Sequence, residues 1–181
     1  MTKYISILRG INVGGKRKIL MADLRALYQS LGFENIVTYI QSGNVIFDAK
    51  KKNKNNAFAK KIKQAIADKY GFDVPVIIRK VEEIRGIIDN NPFVKKKGVV
   101  IENLHLTFLG DTPAEEHLEK IKTFEYPPDD FKIEGKEVYV FCAGKYHKSK
   151  LTNNFFEKKL KVAATTRNWK TVNKLLELSK D

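Results

Sequence analysis

The residues with the clearest chemical potential are Arg9-Gly10-Ile11-Asn12-Val13-Gly14-Gly15-Lys16-Arg17-Lys18. Three glycines tolerate positive φ, which lets backbone N–H groups converge on an anion. The cations add charge, and the helical pattern that follows adds the positive end of a helix dipole. This predicts a small anionic, phosphorylated ligand here. Gly14 and Gly15 would admit it to the backbone, Arg9 and Lys16 would neutralise it, and Asn12 would orient it. The same residues are also what a tight connecting loop needs, with glycines serving the turn and lysines solvated. Gly10 to Arg17 nearly spells the P-loop pattern G-x-x-x-x-G-K-[ST]. However, Arg17 stands where a hydroxyl should hold Mg²⁺, and no apolar strand ending in Asp supplies a second metal ligand. P-loop nucleotide hydrolysis is not expected.

Two other groups carry chemistry of the same kind. Gln41-Ser42-Gly43-Asn44 offers Ser42 and Asn44 to a polar ligand, although turns favour these residue types for backbone reasons alone. In a simple ferredoxin-like half this turn is expected at the opposite end of the sheet from the Arg9–Lys18 loop, so the two would share a pocket only if the halves interlock. Thr165-Thr166-Arg167-Asn168-Trp169 reads as the opening of the last helix, capped by Thr166 or Asn168. There Arg167 could clamp an anion and Trp169 could stack on it, while the spacing of Trp169 with Val172 and Leu176 equally fits a core stripe.

The remaining reactive residue types point to structure. Cys142 alternates with Val138 and Val140 on one strand face, the setting of an inert buried thiol rather than a nucleophile served by His147. Asp129-Asp130 after Pro127-Pro128 reads as turn chemistry. His105, His117 and His147 lack ligand spacing, and neither CxxC nor HExxH occurs, so no metal and no cofactor are expected. No acid–base pair is evident, which leaves the existence of a reaction open.

The elements that must position these residues follow from periodicity and turn signals. Residues 4–8 read as a strand and 20–31 as an amphipathic helix ended by Gly32. Strands near 36–40 and 44–47, a helix from 58 to 70 stopped by Gly71, and a strand over 74–79 complete a β-α-β-β-α-β half. Asp48 to Asn56 reads as an exposed, mobile lysine/asparagine tract. A short helix over 81–89 ends before Pro92, and Lys95 to Gly98 forms a second basic loop. A strand over 104–109 then opens a second half. Thr112-Pro113-Ala114-Glu115 reads as a capping box opening a helix to about 123. Strands near 131–134 and 137–142 turn at Gly135-Lys136, and helices follow near 153–160, where Asn154 and Glu157 have capping-box spacing, and 168–179. The final strand of this half, near Val162–Thr165, is expected to be short or lost. The expected fold is therefore α+β, with two similar ferredoxin-like βαββα(β) halves of mainly antiparallel sheet. Their bounds are 1–80 and 104–181, joined by 81–103.

Composition frames the choice of ligand. Lys+Arg number 34 against 21 Asp+Glu, a formal charge of +13, which suits an anionic partner. Only Arg9, Arg17, Arg25, Arg79, Arg85 and Arg167 are arginine, the residue suited to bidentate phosphate and base recognition. Much of the charge is then compositional. Nucleic-acid binding through the lysine loops and an open sheet face is the rival reading, expected to be weak and blind to sequence. No apolar run is long enough to span a bilayer, no leader-like segment is evident, and a lone cysteine forms no internal disulfide. The expected location is cytoplasmic, without membrane contact. Oligomeric state is not legible.

Leu8 to Lys16, Met21-Ala22-Asp23-Leu24-Arg25 and Tyr39 to Phe47 resemble a bacterial family known as domain of unknown function 1697. Ser149-Lys150-Leu151-Thr152-Asn153 and Ala164 to Trp169 are similar to it as well. The resemblance implies a two-part α+β fold of similar halves that can intertwine. It implies no activity, cofactor or catalytic residue.

Overall fold

The computed structural model describes residues 1–50 and 54–180. The chain forms two compact units, Met1–Arg85 with Leu175–Asp181, and Gly86–Lys174. The connecting stretch 81–103 is thus divided between them, and the end of the last helix groups with the first unit.

In the first unit β1 (Thr2–Leu8), α1 (Met21–Ser30), β2 (Glu34–Tyr39), β3 (Asn44–Ala49), α2 (Asn55–Tyr70) and β4 (Val76–Lys80) form a sheet of order β2-β3-β1-β4. Every neighbouring pair is antiparallel. Helix α3 (Val81–Asp89) follows β4 directly. The second unit repeats the plan with β5 (Leu104–Leu109), α4 (Glu115–Ile121), β6 (Asp130–Glu134), β7 (Glu137–Phe141), α5 (Asn153–Leu160) and β8 (Ala164–Asn168), in the order β6-β7-β5-β8 and again antiparallel throughout. Helix α6 (Trp169–Leu178) then starts directly after β8, as α3 does after β4.

Alternation on the strands accounts for the cores. Tyr4, Leu8, Val45, Phe47 and Ile78 face the helices of the first unit and pack with Leu24, Leu27 and Tyr28 of α1 and Ile62 and Ile66 of α2. Leu109, Val138, Val140 and Cys142 do the same in the second unit with Ile121, Phe156 and Leu160. The opposite faces are buried too: Ile5, Ile7, Ile46 and Ile77 in one sheet, Leu104, Leu106, Phe108 and Tyr139 in the other. The open sheet face invoked for nucleic-acid binding is therefore absent from both sheets. Burial of the polar residues on β1 and β5 together with the apolar ones, Ser6, His105 and Thr107 included, shows both faces covered.

Several local expectations need correction. β8 is a full five-residue strand, because Thr165, Thr166 and Arg167 pair with β5 rather than opening α6. Thr112 caps nothing: α4 begins at Glu115 after Ala114, which remains extended at ψ 149, and the Thr112 N–H donates to Asp111. α5 is capped by Thr152, whose hydroxyl accepts from the Phe155 N–H, while Glu157 instead receives the Ala164 N–H. The tract from Asp48 to Asn56 is not all loop, since Asp48 and Ala49 belong to β3 and Asn55 and Asn56 to α2, while 51–53 lie outside the described residues. Gly71, at φ 70, ends α2 as a left-handed cap.

Candidate functional site

The Arg9–Lys18 segment forms a small projecting hairpin. Its base is pinned by Ile11 and Ile19, both buried in the first-unit core. Between them the Asn12 N–H donates to the Arg17 carbonyl at 3.2 Å and the Lys16 N–H to the Val13 carbonyl at 3.0 Å, with Val13 and Lys16 in an antiparallel bridge. Gly14 and Gly15 make the two-residue turn with φ of 58 and 73, the left-handed pair that such a tight hairpin demands. The Asn12 side chain, itself on a left-handed residue, completes the structure. Its Oδ1 accepts from the Ile19 N–H at 2.9 Å, and its Nδ2 donates to the Ile19 carbonyl at 2.9 Å and to the Gln41 carbonyl at 2.9 Å. Asn12 thus imitates a strand residue toward Ile19 and fastens the hairpin to the Gln41–Asn44 turn.

The geometry departs from a concave anion nest. The Lys16 N–H is spent inside the loop, and Gly14, Gly15, Lys16, Arg17 and Lys18 are exposed. The glycines serve the turn, and any anion held here would meet side-chain cations on an exposed surface. Arg17 folds back, its guanidinium 3.3 Å from where a Cβ on Gly10 would stand.

The Gln41–Asn44 turn lies beside this loop, which corrects the expectation that the two occupy opposite ends of the sheet. β1 runs antiparallel to β3, with Ile7 opposite Asn44, so the end of β1 and the start of β3 lie at one end of the sheet. The Leu8 N–H donates to the Gly43 carbonyl at 2.8 Å, and a Cβ on Gly43 would fall 2.7 Å from Ile11 Cδ1. Arg9, Asn12, Gly14, Gly15, Lys16, Ser42 and Asn44 therefore belong to one end of one unit with no interlocking required. Asn44 is fully buried and its amide donates to the Tyr39 carbonyl and to Ser42 Oγ, so it holds its own turn.

Arg167, Asn168 and Trp169 belong to the second unit. Burial draws the Arg167 guanidinium down to about 10, still charged at neutral pH, and its Nη1 donates to the Thr166 carbonyl. Asn168 caps α6 by accepting the Thr171 N–H at 2.8 Å. Trp169 is 3% exposed and joins Val172 and Leu175 in the buried stripe, so it presents no stacking platform.

Cys142 is buried, and desolvation raises its thiol above the ordinary range. Asp129 ties strands and loops together, accepting from the Ala143 N–H and from Ser149 Oγ. Among the described residues no cluster of His, Cys, Asp and Glu has the arrangement of a metal site, and no helix is long and apolar enough to cross a membrane. Among the recesses that escaped the sequence reading are one of about 440 Å³ lined by Leu31, Phe33 and Phe58 in the first unit and a groove of about 480 Å³ between α4 and β6, lined by Leu118, Phe124, Phe131 and Ile133. Only the tertiary gap between a short helix and an edge strand creates the groove, so no local signal announces it.

Comparison with known proteins agrees with this architecture. Residues 1–139 match the protein family of unknown function DUF1697. The chain belongs to that family. The structure of conserved bacterial protein SP0830 from Streptococcus pneumoniae is similar over 99% of both chains, with a TM-score of 0.74 and 24% identity, a likeness of fold. No curated protein matches this chain.

Proposed function

We propose that this DUF1697 protein binds a small phosphorylated anion at the hairpin end of its first unit, through Arg9, Lys16, Arg17 and Lys18. The observation that carries this reading is the Asn12 clamp: a three-way amide cross-link holds an exposed Gly-Gly-Lys-Arg-Lys tip in one place. Cations on a fixed support lose less freedom on binding than lysines on a loose loop, so they retain more of each charge-assisted contact. Exposed Val13, Leu20 and Ile40 at the same end suit a ligand with an apolar body beside its phosphate. A cytoplasmic setting goes with this reading and with a single buried cysteine that takes no disulfide partner.

Calorimetric titration with pyrophosphate and nucleoside triphosphates at low salt tests the proposal. The Lys16→Ala/Lys18→Ala protein is expected to bind about 1–3 kcal/mol more weakly with an unchanged melting temperature. Absence of binding, or binding indifferent to both lysines, overturns it. The exposure of the cationic tip favours a second reading, contact with the phosphates of a nucleic-acid strand. In that case an oligonucleotide binds with a steep log–log salt dependence whose slope falls when Lys16 and Lys18 are removed, and pyrophosphate does not compete.

A further inference from the structure

We propose that the α4–β6 groove of the second unit docks an extended segment of a partner protein, which adds to β6 as a fifth strand and carries an apolar side chain flanked by lysine or arginine. β6 ends its sheet, and no described strand pairs with its outer side. Its register with β7 is unbroken from Asp130 opposite Phe141 to Glu134 opposite Glu137, closed by the two-residue turn Gly135-Lys136. In such a hairpin the closing pair exchanges both backbone hydrogen bonds, and pairs alternate from there. Asp130, Lys132 and Glu134 therefore bond to β7, whereas Phe131 and Ile133 direct their N–H and C=O groups outward. The Phe131 N–H agrees, donating to the Asp130 carboxylate at 2.8 Å instead of to β7. A free, regular edge is a template for another strand, and proteins ordinarily spoil it with a bulge or cover it. β2, the matching edge of the first unit, is spoiled: its register with β3 shifts between Glu34 and Val37, and Asn35 sits at φ 49.

The same residues that offer backbone to an incoming strand also line the groove with their side chains. Phe131 and Ile133 of β6, Leu118 of α4 and Phe124 of the connection between them line it together. Phe124 is held by Lys159, whose Nζ lies over its ring 3.7 Å from the centroid. A second recess of about 300 Å³ reaching Pro127 and Pro128 shares Phe124, Glu125, Asp130 and Phe131 with the first, so the hollow extends past the start of β6 into the preceding loop. An elongated groove beside a strand edge fits an extended chain better than a compact molecule.

Charge selects the occupant. The groove is lined by Glu115, Glu125 and Asp130 against Lys122 and Lys132. Both lysines are engaged elsewhere, Lys122 by Glu119 and Lys132 by Glu134, and Asp130 is itself met by Lys96 at 3.6 Å, so Glu115 and Glu125 carry the acidic character of the lip. In a chain of formal charge +13 this lip is an acidic exception, and it favours a segment with cationic flanks.

The test is selection from a random heptapeptide library on the whole protein, followed by affinity measurement of the enriched peptides by fluorescence anisotropy. Peptides with apolar residues at alternate positions and basic flanks are expected. Leu118→Arg, which fills the groove from the helix side, is expected to weaken them at least tenfold in a protein that remains folded by circular dichroism. Ile133→Pro removes an outward N–H without breaking a ladder bond and is expected to act in the same direction. On peptide addition, the Ile133 amide should become protected from hydrogen exchange. No enrichment, enrichment of acidic peptides, or binding indifferent to Leu118→Arg overturns the proposal. A concentration-dependent dimer abolished by Leu118→Arg would also overturn it, by assigning the edge to a second copy of this chain.

Discussion

The two units share one plan, and they differ at two places where surface chemistry gathers. Both tie the end of their first strand in the same way. The Leu8 N–H donates to Gly43 and the Arg9 N–H to Pro75; in the second unit the Leu109 N–H donates to Lys136 and the Gly110 N–H to Ala163. From this common point the first unit spends residues 9–20 on a clamped basic hairpin, while the second passes through 110–114 directly into α4. The second difference lies at the edge strand. α1 buries Leu24, Leu27 and Tyr28 and packs on β2, whereas the seven-residue α4 buries only Ile121 and leaves a groove beside β6. A repeated scaffold thus has a decorated loop in one copy and an unfilled edge in the other. Scaffold positions hold the fold, and function is to be sought where the copies diverge.

The sharpest test of that comparison is Gly43 against its counterpart Lys136. At Gly43 a side chain would meet Ile11 at 2.7 Å and Leu8 at 2.8 Å on a residue with φ 81, so Gly43→Val is expected to cost about 3 kcal/mol or more, or to prevent folding. Lys136→Ala is expected to stay within about 0.5 kcal/mol, and urea unfolding of the two proteins measures the contrast. Equal losses would mean that the hairpin-side packing is not special.

Asn12→Ala comes next. It strips the Ile19 N–H and two carbonyls of their partner, an expected loss of about 1–3 kcal/mol, and it frees the tip. Limited proteolysis should then cut between residues 12 and 18, while the short 110–114 connection remains resistant. If the variant keeps both its stability and its resistance, the clamp is not what holds the hairpin.

A third contrast is titration at matching strand positions. Tyr4 opposes Lys80, and His105 opposes Asn168. Burial holds the His105 imidazole below its ordinary range, against the opposing effect of a hydrogen bond with the Asn103 backbone. The unfolded chain therefore takes up this proton first. The stabilisation present above about pH 6.5 is lost as pH falls toward the folded value, at no more than about 1.4 kcal/mol per pH unit. His105→Phe keeps a ring against Tyr146, now 4.5 Å away, and should flatten the stability profile between pH 7 and 5. An unchanged profile would assign the acid sensitivity to other groups.

The smallest expected effects come from the helices that follow β4 and β8. Each uses one half of a capping box. In the second unit the Asn168 side chain accepts the Thr171 N–H, and in the first the Glu83 carboxylate accepts the Lys80 N–H at 2.6 Å. Asn168→Ala and Glu83→Ala are each expected to cost about 1 kcal/mol in thermal melts. A loss confined to one of them would show that the two starts are not equivalent.

Much of this molecule follows from local sequence. The span Val81–Asp89 is legible from Val81, Ile84, Ile87 and Ile88 because helical spacing and the proline at 92 act within a few residues. The β-α-β-β-α-β order, the turn at Gly135 and the end of α2 at Gly71 are local in the same sense, as is the burial of Cys142. Tertiary contact decided the rest. Thr165 to Arg167 look like a helix start by themselves and become strand because β5 offers them a ladder. The Gly14-Gly15 pair suits a nest or a hairpin equally, and the bridge between Val13 and Lys16 with the Asn12 clamp selects the hairpin. The proximity of Gly43 to that loop rests on the antiparallel pairing of β1 with β3, and the α4–β6 groove on how far a short helix stands from an edge strand. Residues determine their own φ, ψ and periodicity through neighbours along the chain. Which backbone groups find partners, and which faces are left uncovered, is fixed only when segments distant in sequence meet.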